Sequence, residues 1–232
     1  MPFFFYDYYY LVLVVPAMLL ALWAQHKVNS TYDKYARVRS SRGITAAQVA
    51  RSILNDNGLG DIPVEQVAGN LTDHYDPRAR VVRLSDSVYG SSSIAAIGVA
   101  AHEVGHACQH ASHYAPLTLR NAIIPVTNIG SKLSIPLILI GLLLGSDTLA
   151  VFGVLLFSLV AVFQLITLPV EFNASSRALR TLGDRDILAG EELTGARKVL
   201  SAAAMTYVAA LAVSLAQLLR LVLIVGGRRR SD

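Results

Sequence analysis

The sequence predicts a mainly α-helical integral membrane protein with about four transmembrane helices and a small cytoplasmic α+β domain. Three observations carry that expectation. Of 232 residues, 53% are hydrophobic and 16% charged, and the mean hydropathy is +0.48, outside the usual range of soluble domains. The apolar residues gather into runs of about 20, the length that crosses a bilayer. Between the first and second runs lies a polar, basic stretch holding one H-E-x-x-H motif. The net charge of +4 sits in the loops between apolar runs and forms no basic stripe interleaved with aromatics, so nucleic acid is not an expected partner.

Residues 3–24 form the first apolar run, with Tyr at its entry and Trp23 near its exit, as at the two interfaces of a spanning helix. Its start has no Lys or Arg and no small-residue cleavage site follows, so it reads as a span and not as a secretory leader. Pro16 predicts a kink. Residues 25–43 read as an exit helix or linker ending at Gly43. Thr45 then caps a short soluble helix whose apolar face is Ala47, Val49, Ala50, Ile53 and Leu54, with Gly58 as its stop. Two strand-like stretches follow, 63–69 and 79–90, separated by the turn-rich segment 70–78.

The motif lies in AAHEVGHACQHA, Ala100–Ala111, after small and apolar residues that Ser91–Ser93 can cap as one helix. Residues four apart share a helix face, so His102 and His106 present two imidazoles to one ion with Glu103 beside them. Two His ligands and a Glu general base are the zincin arrangement. A buried Glu between two His has no packing reason to be there. His110 repeats the spacing, but it stands about 12 Å from His102 along the axis, too far for one ion to take all three. Gln109 and Ser112 occupy the positions where the metzincin motif needs Gly and His. The third ligand therefore comes from elsewhere. Cys108, the single cysteine, excludes an internal disulfide and a cysteine-cluster zinc site and reads as a small buried hydrophobe.

Two further candidates come from the strand region. Arg80, Val81, Val82, Arg83 and Leu84 form a strand just before the motif helix, and its two readings are an edge strand that pairs with extended substrate or an internal hairpin strand. His74, in the polar cluster Asp73–Asp76, is either a transition-state donor or a turn residue.

Residues 117–144 turn from amphipathic to purely apolar, and 148–170 form the next run after a turn at Gly145–Asp147; together they predict a transmembrane hairpin. Glu171 follows at once, the first carboxylate after Asp147, in a stretch that continues helically through Arg177. It is the candidate third ligand, the alternative being an interfacial carboxylate. The last apolar segment, 201–225, is interrupted by Gln217 and Arg220, so it either spans or lies partly peripheral. The expected organisation is thus a first span over 1–25, a catalytic region over 26–116, the hairpin over 117–170, a third-ligand helix and loop over 171–200, and the fourth segment with its basic tail over 201–232. Lys and Arg crowd the loop before the hairpin and the loop after it and avoid its turn, which predicts a cytoplasmic active site; the tail, Arg228–Arg230, disagrees if the last segment spans.

With HEVGH, the preceding TDHYDPR and RLSDSVYG, and the later LPVEFNASSRAL in view, the chain resembles the YugP-like membrane zinc metallopeptidases over nearly its whole length. That resemblance implies one Zn²⁺ per chain held by His102, His106 and Glu171, Glu103 as base, a bacterial cytoplasmic membrane, and peptide or protein substrates, membrane proteins among them. The Glu171 segment is also similar to that of the CAAX prenyl proteases and the heat-shock membrane protease HtpX, in which an Asp follows the ligand Glu by four positions. Ser175 stands there in this chain, so Asn173 becomes a candidate for orienting a ligand imidazole. Arg177 joins His74 as a candidate oxyanion donor.

The expected activity is zinc-dependent endopeptidase hydrolysis at the cytoplasmic face. A zinc-containing scaffold or chaperone partner is the alternative, and Glu103 argues against it because a structural site needs no base. A small-ion transporter would place its polar residues within the spans, whereas these histidines lie outside them.

Overall fold

A computed structural model of the chain describes residues 7–228. A π-helical turn, Tyr10–Val14, leads into helix α1, Val15–Ala36. The proline ring at position 16 removes a backbone donor, and the irregularity takes the form of this π turn. Of the two readings for residues 25–43, the exit helix holds as far as Ala36. Helix α2, Ala46–Asp56, begins with a capping box in which Thr45 accepts from the Gln48 backbone and Gln48 returns the bond to Thr45. It ends before Gly58, whose φ of +71° is readily adopted by glycine.

Strands β1 (Val64–Val67), β2 (His74–Asp76) and β3 (Val81–Ser85) form a sheet of order β1-β3-β2, with β1 parallel and β2 antiparallel to β3. This corrects the edge-strand reading of Arg80–Leu84. Val82 and Arg83 are paired on both sides, so the backbone of β3 is used within the sheet, and β1 and β2 are the outer strands instead. Asp76 Oδ1 accepts from the backbones of Arg78 (2.8 Å) and Ala79 (3.1 Å), closing a hairpin whose first arm, residues 74–76, the sequence presented as loop.

A single helical turn, α3 (Asp86–Tyr89), precedes α4 (Ile94–Ala111), which Ser93 caps by accepting from the Ala96 backbone at 3.2 Å. Helices α5 (Ala115–Leu144), α6 (Asp147–Asp184) and α7 (Gly190–Arg228) complete the described residues, and Arg229 and Arg230 of the basic tail lie outside them. Within the helix and loop expected over 171–200, the loop is confined to residues 185–189, because α6 runs to Asp184 and α7 starts at Gly190 and continues into the last apolar segment. Among the described residues, four helices are long and apolar enough to cross a membrane.

The chain divides into two compact units. The unit of residues 26–118 and 169–205 is built on α4. Its Ala95, Ala96, Ile97, Ala100, Ala101 and Val104 are buried against Val49, Ile53 and Leu54 of α2, Leu84 of β3 and Leu182 of α6. The other unit packs Ile138, Ala150, Leu221 and Val225 together and leaves Leu22, Leu144 and Leu155 largely exposed, as lipid-facing residues are. Arg220 is resolved here too. It is buried, reaches Asp7 at 2.6 and 2.9 Å and lies over the Tyr10 ring, so its charge is compensated by an intramolecular partner.

Candidate metal centre

His102 and His106 occur one turn apart on α4, and the small residues around them let α6 come close. A Cβ at Gly105 would stand 2.7 Å from the carbonyl oxygen and 3.2 Å from the Cα of Ala174, so only glycine permits this approach. Glu171 lies one turn before Ala174 on α6 and is only 4% exposed. Its Oε2 sits 3.3 Å from His102 Nε2 and 3.5 Å from His106 Nε2. Among the described residues, the ligand atoms of these three side chains all lie within 4.8 Å of one another. The donors of a tetrahedral zinc site, each about 2.0–2.1 Å from the ion, stand roughly 3.3 Å apart.

The histidine tautomers are set from behind. Gln109 is fully buried one turn past His106, and its amide nitrogen donates to the Val170 carbonyl (2.8 Å) and Asn173 Oδ1 (3.0 Å). Its oxygen therefore faces His106 Nδ1 at 2.9 Å and accepts that N–H, leaving Nε2 with a lone pair toward Glu171. On the other imidazole, Ser175 Oγ lies 3.1 Å from His102 Nδ1. Burial disfavours a charged His106. In the protonated form Nε2–H can bond Glu171, and this, the carboxylates of Glu103 and Glu171 and the Gln109 contact outweigh that penalty, so its pKa lies above the ordinary imidazole value. The cluster's field thus favours positive charge, as a cation site requires.

Glu103 lies beside the cluster, and the Tyr75 backbone N–H on β2 donates to its Oε2 at 2.9 Å. The Tyr75 hydroxyl is in turn 2.8 Å from His110 Nδ1, which gives this histidine a partner on the sheet. His74 is exposed, with Nδ1 2.8 Å from the Thr72 carbonyl. Asp73 bonds the backbone and hydroxyl of Ser85. Asn173 reaches His106 through Gln109 and no imidazole directly, and Arg177 donates to Asn173 at 2.8 Å. Cys108 packs against the core, and burial pushes its thiol pKa up, as for an inert hydrophobe.

Neither Gln109 nor Tyr75 carries a role in the expectations from sequence, where Gln109 only breaks the metzincin spacing and Tyr75 only belongs to the polar cluster of residues 73–76. The available signal for Gln109 was an amide on an otherwise apolar helix face, three residues past a ligand histidine. Tyr75 acts on Glu103 through its backbone, so no side-chain pattern could have revealed that bond.

Four helices able to cross a membrane and a buried two-histidine, one-carboxylate cluster define a membrane protein with a site suited to zinc. Residues 10–226 match the family described as "Putative neutral zinc metallopeptidase". The chain is also 54% identical over 215 residues to "Putative membrane protease YugP" of Bacillus subtilis (strain 168), covering 93% of this chain and 96% of that protein. No solved structure matches it significantly. The chain belongs to this neutral zinc metallopeptidase family.

Proposed function

We propose that this protein is a zinc-dependent endopeptidase whose metal is held by His102, His106 and Glu171 and whose general base is Glu103. The observation that carries this reading is the convergence of two Nε2 atoms and one carboxylate oxygen, with both Nδ1 atoms engaged elsewhere. A zinc ion there supplies Lewis-acid polarisation of a peptide carbonyl and lowers the pKa of water. Glu103 is held through Oε2 by the Tyr75 amide, which leaves Oε1 to take a proton from water and return it to the leaving amine. Gln109 and Ser175 fix the imidazoles, while Asn173 and Arg177 support Gln109. His74 and Arg177 remain the candidate donors to the developing oxyanion. Of the two outer strands, β1 and β2, it is β2 that touches Glu103, through the Tyr75 amide, and in place of β3 it is the strand beside which an extended substrate would lie.

The excess of Lys and Arg in the loops flanking the hairpin supports a zincin-like catalytic region on the cytoplasmic face of a cell membrane. Its substrates would be peptides or proteins, membrane proteins among them.

Chelation tests the reading directly. Detergent-purified protein should cleave a quenched unstructured peptide, lose that activity on dialysis against a chelator, and regain it with stoichiometric Zn²⁺. Activity indifferent to chelation would refute it. Gln109→Leu should weaken zinc affinity about 10–100-fold, as loss of an orienting partner does, measured by competition with a chromophoric chelator.

A further inference from the structure

Beyond the metal centre, α6 and α7 leave a groove of about 650 Å³ between residues 172–184 and 193–205, a volume typical of ligand sites. Leu179, Leu193, Leu200 and Met205 line its apolar wall, and Arg180, Arg197 and Asp184 supply its charge. Neither Arg180 nor Arg197 has a hydrogen-bond or ion-pair partner among the described residues, whereas Arg80, Arg83, Arg177, Arg185 and Arg220 all do. Two arginines against one aspartate leave the groove positive. Ser175, whose Oγ contacts His102 Nδ1, lies in its wall, so the groove starts beside the metal centre.

Residues 172–184 of a helix extend about 18 Å, the length of roughly five residues of extended chain. On its α6 side the groove lies past Val170, where that apolar run ends, and its α7 side reaches Met205 at the start of the last apolar segment. The two arginines and the contact with Ser175 beside the metal centre favour a peptide carrying a carboxylate as the occupant. We propose that this groove is an exosite for the substrate chain. It takes an extended segment of about five residues, with apolar side chains on the leucine wall and an Asp or Glu on Arg180 and Arg197. The proposal rests on the peptidase reading for the identity of the occupant, but binding can be measured without hydrolysis.

The test uses the full chain in detergent micelles with Glu103→Gln in place, and a fluorophore-labelled six-residue peptide of alternating Leu and Glu followed by anisotropy. The peptide should bind, and its affinity should fall about tenfold or more in Arg180→Glu/Arg197→Glu and when Gln replaces Glu in the peptide, with metal content unchanged. If charge reversal disturbs folding, Arg180→Gln/Arg197→Gln should still weaken binding and Arg180→Lys/Arg197→Lys should retain it. Failure of the peptide to bind, equal affinity across these variants, or equal affinity for the Gln peptide overturns the proposal. Displacement of the peptide by phosphatidylglycerol in the micelles but not by phosphatidylcholine would assign the groove to an anionic lipid and overturn it as well. Hydrolysis of an uncharged peptide by the protein with Glu103 intact separates these failures from failure of the peptidase reading.

Discussion

Replacing Glu103 with Gln should abolish peptide hydrolysis while zinc stays bound. The amide keeps the size of the carboxylate and can still meet the Tyr75 N–H, which donates to Oε2 at 2.9 Å. It cannot take a proton from water. General-base catalysis contributes about 10²–10⁴-fold, and here the same group also serves the leaving amine, so kcat should fall by about 10³-fold or more. His102, His106 and Glu171 are untouched, so metal content should match the unsubstituted protein. Steady-state hydrolysis of a quenched peptide alongside elemental analysis separates the two effects. Substantial remaining activity would remove Glu103 from its assigned role.

Gly105→Ala should damage the site without touching any candidate ligand. The added methyl would meet the Ala174 carbonyl oxygen at 2.7 Å, and backbone cannot yield as a flexible side chain does. Either α6 moves away from α4 or α4 bends, and both change the 3.3 and 3.5 Å separations between Glu171 and the imidazoles. Overpacking of this kind costs about 1–3 kcal/mol, so thermal unfolding should shift downward and zinc affinity should drop sharply. An unchanged zinc affinity would show that the close approach of these helices is not what brings Glu171 to the histidines.

Much of this architecture can be read from the residues. The helical spacing of His102 and His106, the caps at Thr45 and Ser93 and the long apolar runs are local signals, set by periodicity and by which side chains can bond a free backbone amide. Glu171 stood out as a carboxylate at the end of an apolar run, and the structure brings it to the histidines across the α4–α6 contact. What remained hidden depends on tertiary neighbours. The order of the sheet was not legible, because β2, His-Tyr-Asp, is too short and polar to stand out as a strand, and with two strands in view neither is central. β3 is the most buried of them, and its hydrophobic run fits a central strand as well as it fitted the edge reading. The partners of the imidazoles were also obscure. Ser175 was noted for not being an Asp, yet a hydroxyl reaches His102 when the helices are this close. The partner of Arg220 lies 213 residues away in sequence, so how its charge is compensated could not be read from its own segment.

The central claim is that His102, His106 and Glu171 form one catalytic zinc site, and metal content measured together with hydrolysis on the unsubstituted protein and Glu171→Ala tests it most directly. One zinc per chain with cleavage in the former, and loss of both in the latter, is the expected result. Absence of zinc from the active protein, or zinc bound as tightly with undiminished cleavage after Glu171→Ala, would contradict it.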